Sequence, residues 1–132
     1  MMRVVNGFFD KLYFTESILG PVRVEGRSVR VPVESLFVLG GHPLASEGGG
    51  PYGGELVFDS VTDSRRTVIE YIGDSRNPDG YKEPYEIVDD LASDKPVTMN
   101  SERFAFEGYQ IAPSAWIDDW VVTAGSFSFH VI

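Results

Sequence analysis

The chain has 132 residues, of which 42% are hydrophobic and 13% aromatic, enough to form one folded domain around an apolar core. Twenty acidic residues against eleven basic ones give a net charge of −9, which disfavours binding to nucleic acid or to an anionic membrane. The absence of cysteine excludes disulfides, thiolate catalysis and cysteine-ligated metals. No repeat or change of composition indicates a second domain, so we expect a single domain over residues 1–132.

The N-terminal residues predict a soluble, cytoplasmic protein. They lack the apolar run of about 7–15 residues that a secretory signal has, and no stretch of the chain approaches the roughly 18 apolar residues of a membrane helix. Residues 6–20 fit a short helix and a strand equally. Phe9 and Leu12 have helical spacing, whereas Tyr13 and Phe14 are strand formers in a row.

The clearest element is a β-hairpin over residues 21–33. Valines alternate with polar residues on both sides of Gly26 and Arg27, and a glycine at the first turn position is typical of a type II′ turn. In this register Val24 lies opposite Val29, and the valines of both strands face the core.

The same register predicts a pair of arginines on the outer face of the hairpin. Arg23 lies opposite Arg30, and like charges facing each other destabilise a sheet. We expect Glu25, Glu34 or an acidic residue of a neighbouring strand to neutralise the pair. The functional alternative is a binding site for an anion or a carboxylate, which arginine side chains hold with two parallel hydrogen bonds.

Residues 40–54 predict a long loop, because seven of these fifteen residues are glycine and two are proline. A loop of this length in a small domain is usually mobile or functional. It lacks the lysine and the hydroxyl residue that follow the last glycine of a phosphate-binding loop. His42 in this loop and His130 have no partner at metal-ligand spacing, and the nucleophile-elbow motif Gly-x-Ser-x-Gly does not occur. We therefore predict no catalytic residue and favour a protein that is not an enzyme.

The residues that follow the glycine-rich loop predict strands at regular spacing. In the last of them Phe127, Phe129 and Val131 alternate with polar residues and face the core. Residues 83–93 fit a helix and a strand equally. Such a pattern predicts a mostly β fold, an antiparallel β-sandwich or open barrel of about 7–9 strands with at most two short helices. The strands are predicted over residues 55–61, 66–72, 103–109, 116–124 and 127–132.

Residues 75–86 match part of the ligand spacing of a calcium-binding loop. Asn77, Asp79 and Glu86 occupy ligand positions, but a serine replaces the first aspartate, and two prolines interrupt the segment. The sequence Asn-Pro-Asp-Gly is by itself a strong β-turn sequence. We therefore predict a turn, with no metal and no cofactor.

A second group of candidate binding residues consists of two tryptophans and the aspartate between them. Trp116 and Trp120 are four residues apart, so on a regular strand they share one face, with Asp118 between them. If exposed, this row suits stacking on a sugar ring, and if buried it belongs to the core.

Two functions agree with these observations. The first is a small non-enzymatic interaction module of bacterial type, inhibitor- or immunity-like, that binds a basic protein through the acidic segments 89–94 and 118–119. The alternative is a carbohydrate-binding or carbohydrate-acting β domain that uses Trp116, Asp118 and Trp120. We predict no nucleic-acid or membrane partner.

Overall fold

The fold is mostly β, as the alternating sequence pattern predicts. A computed structural model describes residues 3–73, 76, 80–92 and 101–132. This part of the chain contains eleven strands, two 3₁₀ turns and no α-helix, and none of its helical segments is long and apolar enough to cross a membrane. Five strands have four residues or fewer, so the count exceeds the predicted range of about 7–9. The strands are β1 Arg3–Asn6, β2 Leu12–Tyr13, β3 Ile18–Leu19, β4 Arg23–Glu25, β5 Ser28–Val38, β6 Tyr52–Asp59, β7 Asp63–Glu70, β8 Tyr85–Val88, β9 Glu102–Gln110, β10 Ala115–Ala124 and β11 Ser126–Val131.

The strands form one continuous sheet in the order β1-β11-β6-β5-β3-β9-β10-β7-β8, and β2 and β4 pair with β5 beside this path. The pairs are antiparallel except for β3 and β9, which meet in parallel where Ile18 lies opposite Tyr109. β3 has only two residues, yet it joins β5 to β9. It therefore connects a first half of the sheet (β1, β11, β6 and β5) to a second half (β9, β10, β7 and β8).

The core consists of aromatic rings from both halves of the sheet. The ring of Phe58 on β6 lies 5.5 Å from that of Phe104 and 5.6 Å from that of Phe106, both on β9, and 5.1 Å from that of Phe127 on β11. Phe9, in the first 3₁₀ turn, contacts the same four rings. Because β6 and β9 are not neighbours in the sheet, the sheet folds back so that its halves face each other.

The predicted hairpin is confirmed. β4 and β5 pair with Val24 opposite Val29, and Arg23 opposite Arg30. Gly26 has φ 63°, as the first position of a type II′ turn requires. The five strands predicted after the glycine-rich loop are also present, shifted by up to three residues at their ends.

Neither of the two segments that fitted helix and strand equally contains an α-helix among its described residues. Residues 6–20 form a 3₁₀ turn at Phe9–Lys11 followed by β2 and β3, and residues 83–93 contain β8. The predicted turn over residues 75–86 falls on Asn77 and Asp79, which lie outside the described residues.

The glycine-rich loop is shorter than predicted and packs against the core. β6 begins at Tyr52, so residues 52–54 belong to a strand. His42 and Leu44 are both buried within the loop, and the Tyr52 hydroxyl donates to the carbonyl oxygen of Gly48 at 2.8 Å. The backbone N–H of Leu44 donates to Nδ1 of His42 at 3.1 Å, which requires that nitrogen to be unprotonated.

Burial of His42 predicts a loss of stability in mild acid. Burial lowers the pKa of His42 below its ordinary value of 6.5, so the unfolded chain takes up the proton more readily than the folded one. The stability that neutral His42 contributes is present above pH 6.5 and is lost as the pH falls through the folded-state pKa. We expect the Tm to fall as the pH is lowered below about 6.5. His42→Asn, which keeps an acceptor for the N–H of Leu44, should flatten this slope. His130→Asn is the control, and an unchanged slope in His42→Asn would contradict the assignment.

Strand β10 contains a β-bulge in its middle. Ile117 pairs with Gly108 and Trp120 pairs with Phe106, so three steps along β10 match two steps along β9. The pairing of β10 with β7 shows the same extra residue. Asp119 lies within the bulge with φ 43°, a left-handed backbone conformation that aspartate adopts more readily than most residues. The bulge lets Ile117 and Trp120 both face the core.

Candidate functional site

A cleft lies beside the short strand β3, where the two halves of the sheet are joined by only two residues. Its volume is about 940 Å³, at the upper end of the range of about 300–1,000 Å³ typical of small-molecule sites. Six strands (β3, β5, β6, β7, β9 and β10) and the residues that follow β3, β9 and β11 contribute to its walls. The lining residues are Ile18, Leu19, Gly20, Pro21, Val22, Pro32, Val33, Glu34, Gly53, Gly54, Arg66, Gln110, Ile111, Ala112, Trp120 and Ile132.

Most of the cleft wall is apolar, and two of its residues are prolines, which offer a ligand no backbone donor. Pro21 and Pro32 have no N–H group, and the carbonyl oxygen of Pro32 already accepts a hydrogen bond from the N–H of Gly20 at 2.8 Å. The charged or amide side chains among the lining residues are Glu34, Arg66 and Gln110. A ligand in this cleft therefore meets mainly hydrocarbon and a few polar groups at fixed places.

Arg66 on β7 forms a buried ion pair with Asp89, which follows β8. Its Nη1 donates to both carboxylate oxygens of Asp89, at 2.9 and 3.0 Å. The Arg66 side chain is 11% exposed and that of Asp89 is 7% exposed. The Ser64 hydroxyl donates to the same carboxylate at 2.6 Å. Buried charges need such compensation, because leaving either one unpaired costs several kcal/mol.

Trp120 completes this network from β10. Its indole Nε1 donates to the Ser64 hydroxyl oxygen at 3.2 Å, and its ring stacks on Phe106 with the ring centroids 5.0 Å apart. The guanidinium carbon of Arg66 lies 4.5 Å from the centroid of the Trp120 ring, a cation–π contact. Asp89, Ser64 and Trp120 thus hold the Arg66 side chain in one orientation at the wall of the cleft.

Two donor groups of Arg66 remain available. Nε and Nη2 have no hydrogen-bond partner among the residues that the structure describes. Neither atom is fully buried, although the Arg66 side chain as a whole is only 11% exposed, and Arg66 lines the cleft. The cleft therefore contains a positively charged donor group that can bind an acceptor on a ligand.

The predicted row of Trp116, Asp118 and Trp120 on one face does not form, and that expectation is wrong. Trp120 is 1% exposed in the core, whereas Trp116 and Asp118 are half-buried on the opposite face of β10. The bulge at Asp119 is the physical reason, because one extra residue reverses the alternation. Trp116 instead lies opposite Tyr109, whose side chain is 40% exposed.

The predicted arginine pair is neutralised within the molecule by a residue of the neighbouring strand β6. Glu55 accepts a hydrogen bond from Arg23 at 2.8 Å and one from Arg30 at 3.0 Å. Burial by itself raises the pKa of Glu55, but the hydrogen bonds from the two arginines outweigh it, so the pKa lies below its ordinary value of 4.5. Arg23 and Arg30 are therefore already engaged with a carboxylate.

The residues that form the cleft site carry no sequence motif. Asp89 belongs to the acidic segment 89–94, which the sequence suggested as a surface for a basic protein. In the structure its carboxylate instead accepts hydrogen bonds from Arg66. One signal was present: Ser64, Arg66 and Val68 alternate with more exposed residues on β7, which places an arginine among inward-facing positions. The pairing with Asp89, 23 residues further along, depends on how β7 and β8 align.

No protein-family description matches this chain, and no curated protein or solved structure shows significant similarity to it. Functional proposals for this protein rest on its geometry.

Proposed function

We propose that this protein is a non-enzymatic binding module whose cleft holds a small molecule with an apolar body and an oxygen acceptor. The observation that carries this proposal is the position of Arg66. Its guanidinium group is fixed by Asp89 and Trp120 at the wall of a mainly apolar cleft, and its Nε and Nη2 have no hydrogen-bond partner among the described residues. A large apolar pocket with a few convergent polar groups is the usual form of a small-molecule site.

The polar side chains of the cleft favour binding over catalysis. Arg66 carries N–H donors and no acceptor, so it acts as a hydrogen-bond donor. Gln110 Nε2 donates to the carbonyl oxygen of Pro113 at 3.0 Å, which fixes the amide and leaves its oxygen as an acceptor. Together with Glu34, these groups can orient a ligand, but none of the three is the kind of activated nucleophile that covalent catalysis uses.

The proposal is tested with the neutral fluorescent probe N-phenyl-1-naphthylamine, whose emission rises in apolar surroundings. We expect saturable binding to the intact protein and at least about tenfold weaker binding to Ile111→Asp, since a charge in the wall disfavours an apolar ligand. Ile111 is 62% exposed, so this change leaves the core intact. Val88→Asp is the matched control, because Val88 is 54% exposed and does not line the cleft. Equal binding to all three proteins would refute the cleft as the site.

The two functions suggested by the sequence are kept as proposals at other surfaces. Binding to a basic protein would use the acids that remain on the surface, such as Asp90 and Asp119, which are exposed. Carbohydrate binding would use the outer face of β9 and β10, where Trp116 and Tyr109 lie side by side and are not fully buried. The cleft is the better-supported site, because it combines mainly apolar walls with an oriented charge.

A further inference from the structure

We propose that the acceptor group bound by Arg66 is a carboxylate, so that the cleft takes a monocarboxylic acid with an apolar chain. This inference rests on the proposed function of the cleft and names the chemical class of its ligand. Three observations support it: the edge of the guanidinium group that Asp89 occupies, the charges of Arg66, Asp89 and Glu34, and the apolar side chains of the cleft walls.

Asp89 leaves the more selective edge of Arg66 open. A guanidinium group is planar, and its Nε–H and one Nη2–H bond point in parallel from the same edge. Asp89 binds Nη1 alone, with both of its oxygens. The parallel pair therefore remains available, and its spacing matches the two oxygens of a carboxylate. A single carbonyl, ether or hydroxyl oxygen would satisfy only one of these two donors well.

The charge balance favours one negative charge on the ligand over two. Arg66 and Asp89 together are neutral, so a carboxylate adds a charge of −1 beside a pair whose side chains are about nine-tenths buried. A phosphate monoester would add about −1.5 to −2 at neutral pH. Glu34 also lines the cleft, and the whole chain carries a charge of −9. Each further negative charge is therefore repelled more strongly, whereas a single carboxylate gains two charge-assisted hydrogen bonds.

The walls of the cleft determine the rest of the ligand. Leu19, Pro21 and Val22 line one part of it, and Ile111 and Ala112 line another. These groups offer hydrocarbon contacts and no side-chain hydrogen bonds, so the body of the ligand is apolar. Burying the methylene groups of such a chain against these walls stabilises the complex.

The test measures displacement of N-phenyl-1-naphthylamine from the intact protein at neutral pH by three compounds of equal chain length: decanoic acid, methyl decanoate and decyl phosphate. We expect decanoate to compete at concentrations about tenfold or more below the ester, which corresponds to about 1.4 kcal/mol. Decyl phosphate is expected to compete less well than decanoate. In Arg66→Lys, which keeps the charge but removes the parallel donors, the advantage of the acid over the ester should shrink.

The double variant Arg66→Met with Asp89→Leu removes both charges together, so that neither is left buried alone. It should retain the fluorescent probe and lose the preference for the acid. If acid and ester compete equally with the intact protein, or if the phosphate competes best, the carboxylate assignment is wrong while the binding cleft stands. If neither the probe nor any of the three compounds binds, the proposed function itself fails. If the double variant does not fold, the ranking in the intact protein and in Arg66→Lys decides.

Discussion

Replacing Asp89 with alanine is expected to lower the free energy of unfolding by about 3 kcal/mol or more. The change leaves the Arg66 guanidinium buried without its counter-charge and deprives the Ser64 hydroxyl of its acceptor. Because a domain of this size is stable by only about 5–15 kcal/mol, the loss should be evident in urea-induced unfolding. Restoring charge balance with Arg66→Met in the same chain should recover much of the lost stability.

The matched control for this prediction is an exposed ion pair on the same strand. Asp63 accepts two hydrogen bonds from Arg65, at 2.9 and 3.1 Å, but these side chains are 37% and 48% exposed. Solvent screens such a pair, so Asp63→Ala should cost less than about 1 kcal/mol. If Asp89→Ala and Asp63→Ala lower the free energy of unfolding by similar amounts, burial of the pair between Arg66 and Asp89 does not make it more important for stability than an exposed pair.

Replacing Phe58 with alanine is expected to lower the free energy of unfolding by about 3–5 kcal/mol. Phe58 is fully buried, and its ring meets those of Phe104 and Phe106 across the fold of the sheet. Truncation removes these contacts and leaves a cavity where the two halves pack. Phe8→Ala is the control, since Phe8 is 45% exposed and should cost less than about 1 kcal/mol.

A double-mutant cycle makes the Phe58 prediction specific for the folded-back sheet. The rings of Phe58 and Phe106 stack with an interplanar angle of 10°. The two alanine substitutions should therefore be less than additive, with a coupling energy of about 0.5–1.5 kcal/mol. Strict additivity would mean that β6 and β9 do not contact each other in solution.

Local patterns in the sequence predicted the elements whose structure depends on neighbouring residues alone. The hairpin around Gly26 has alternating valines and a turn residue that accepts positive φ, so its register follows from the sequence. β11 was equally predictable, because Phe127, Phe129 and Val131 alternate without interruption and are all at most 6% exposed. In both cases one residue out of two is apolar, which a half-buried strand requires.

The features that the sequence did not predict depend on contacts between distant strands. A bulge is defined by a mismatch with the neighbouring strands, so no pattern within β10 marks Asp119 as the extra residue. The choice of Glu55 as the partner of Arg23 and Arg30 depends on the alignment of β5 with β6. The cleft requires the entire strand order, since its walls come from both halves of the sheet.

The bulge in β10 also determines how this strand tolerates changes in length. Removing Asp119 would leave Ile117 and Trp120 two residues apart, which restores regular alternation and keeps both side chains directed inward. Removing Val121 instead would force the strand either to keep its bulge and turn Val122 outward or to regularise and bury Asp119 in place of Trp120. Insertions and deletions in related sequences should therefore concentrate at Asp118 and Asp119, and an alignment that places a gap beyond Trp120 would misassign the faces of the strand.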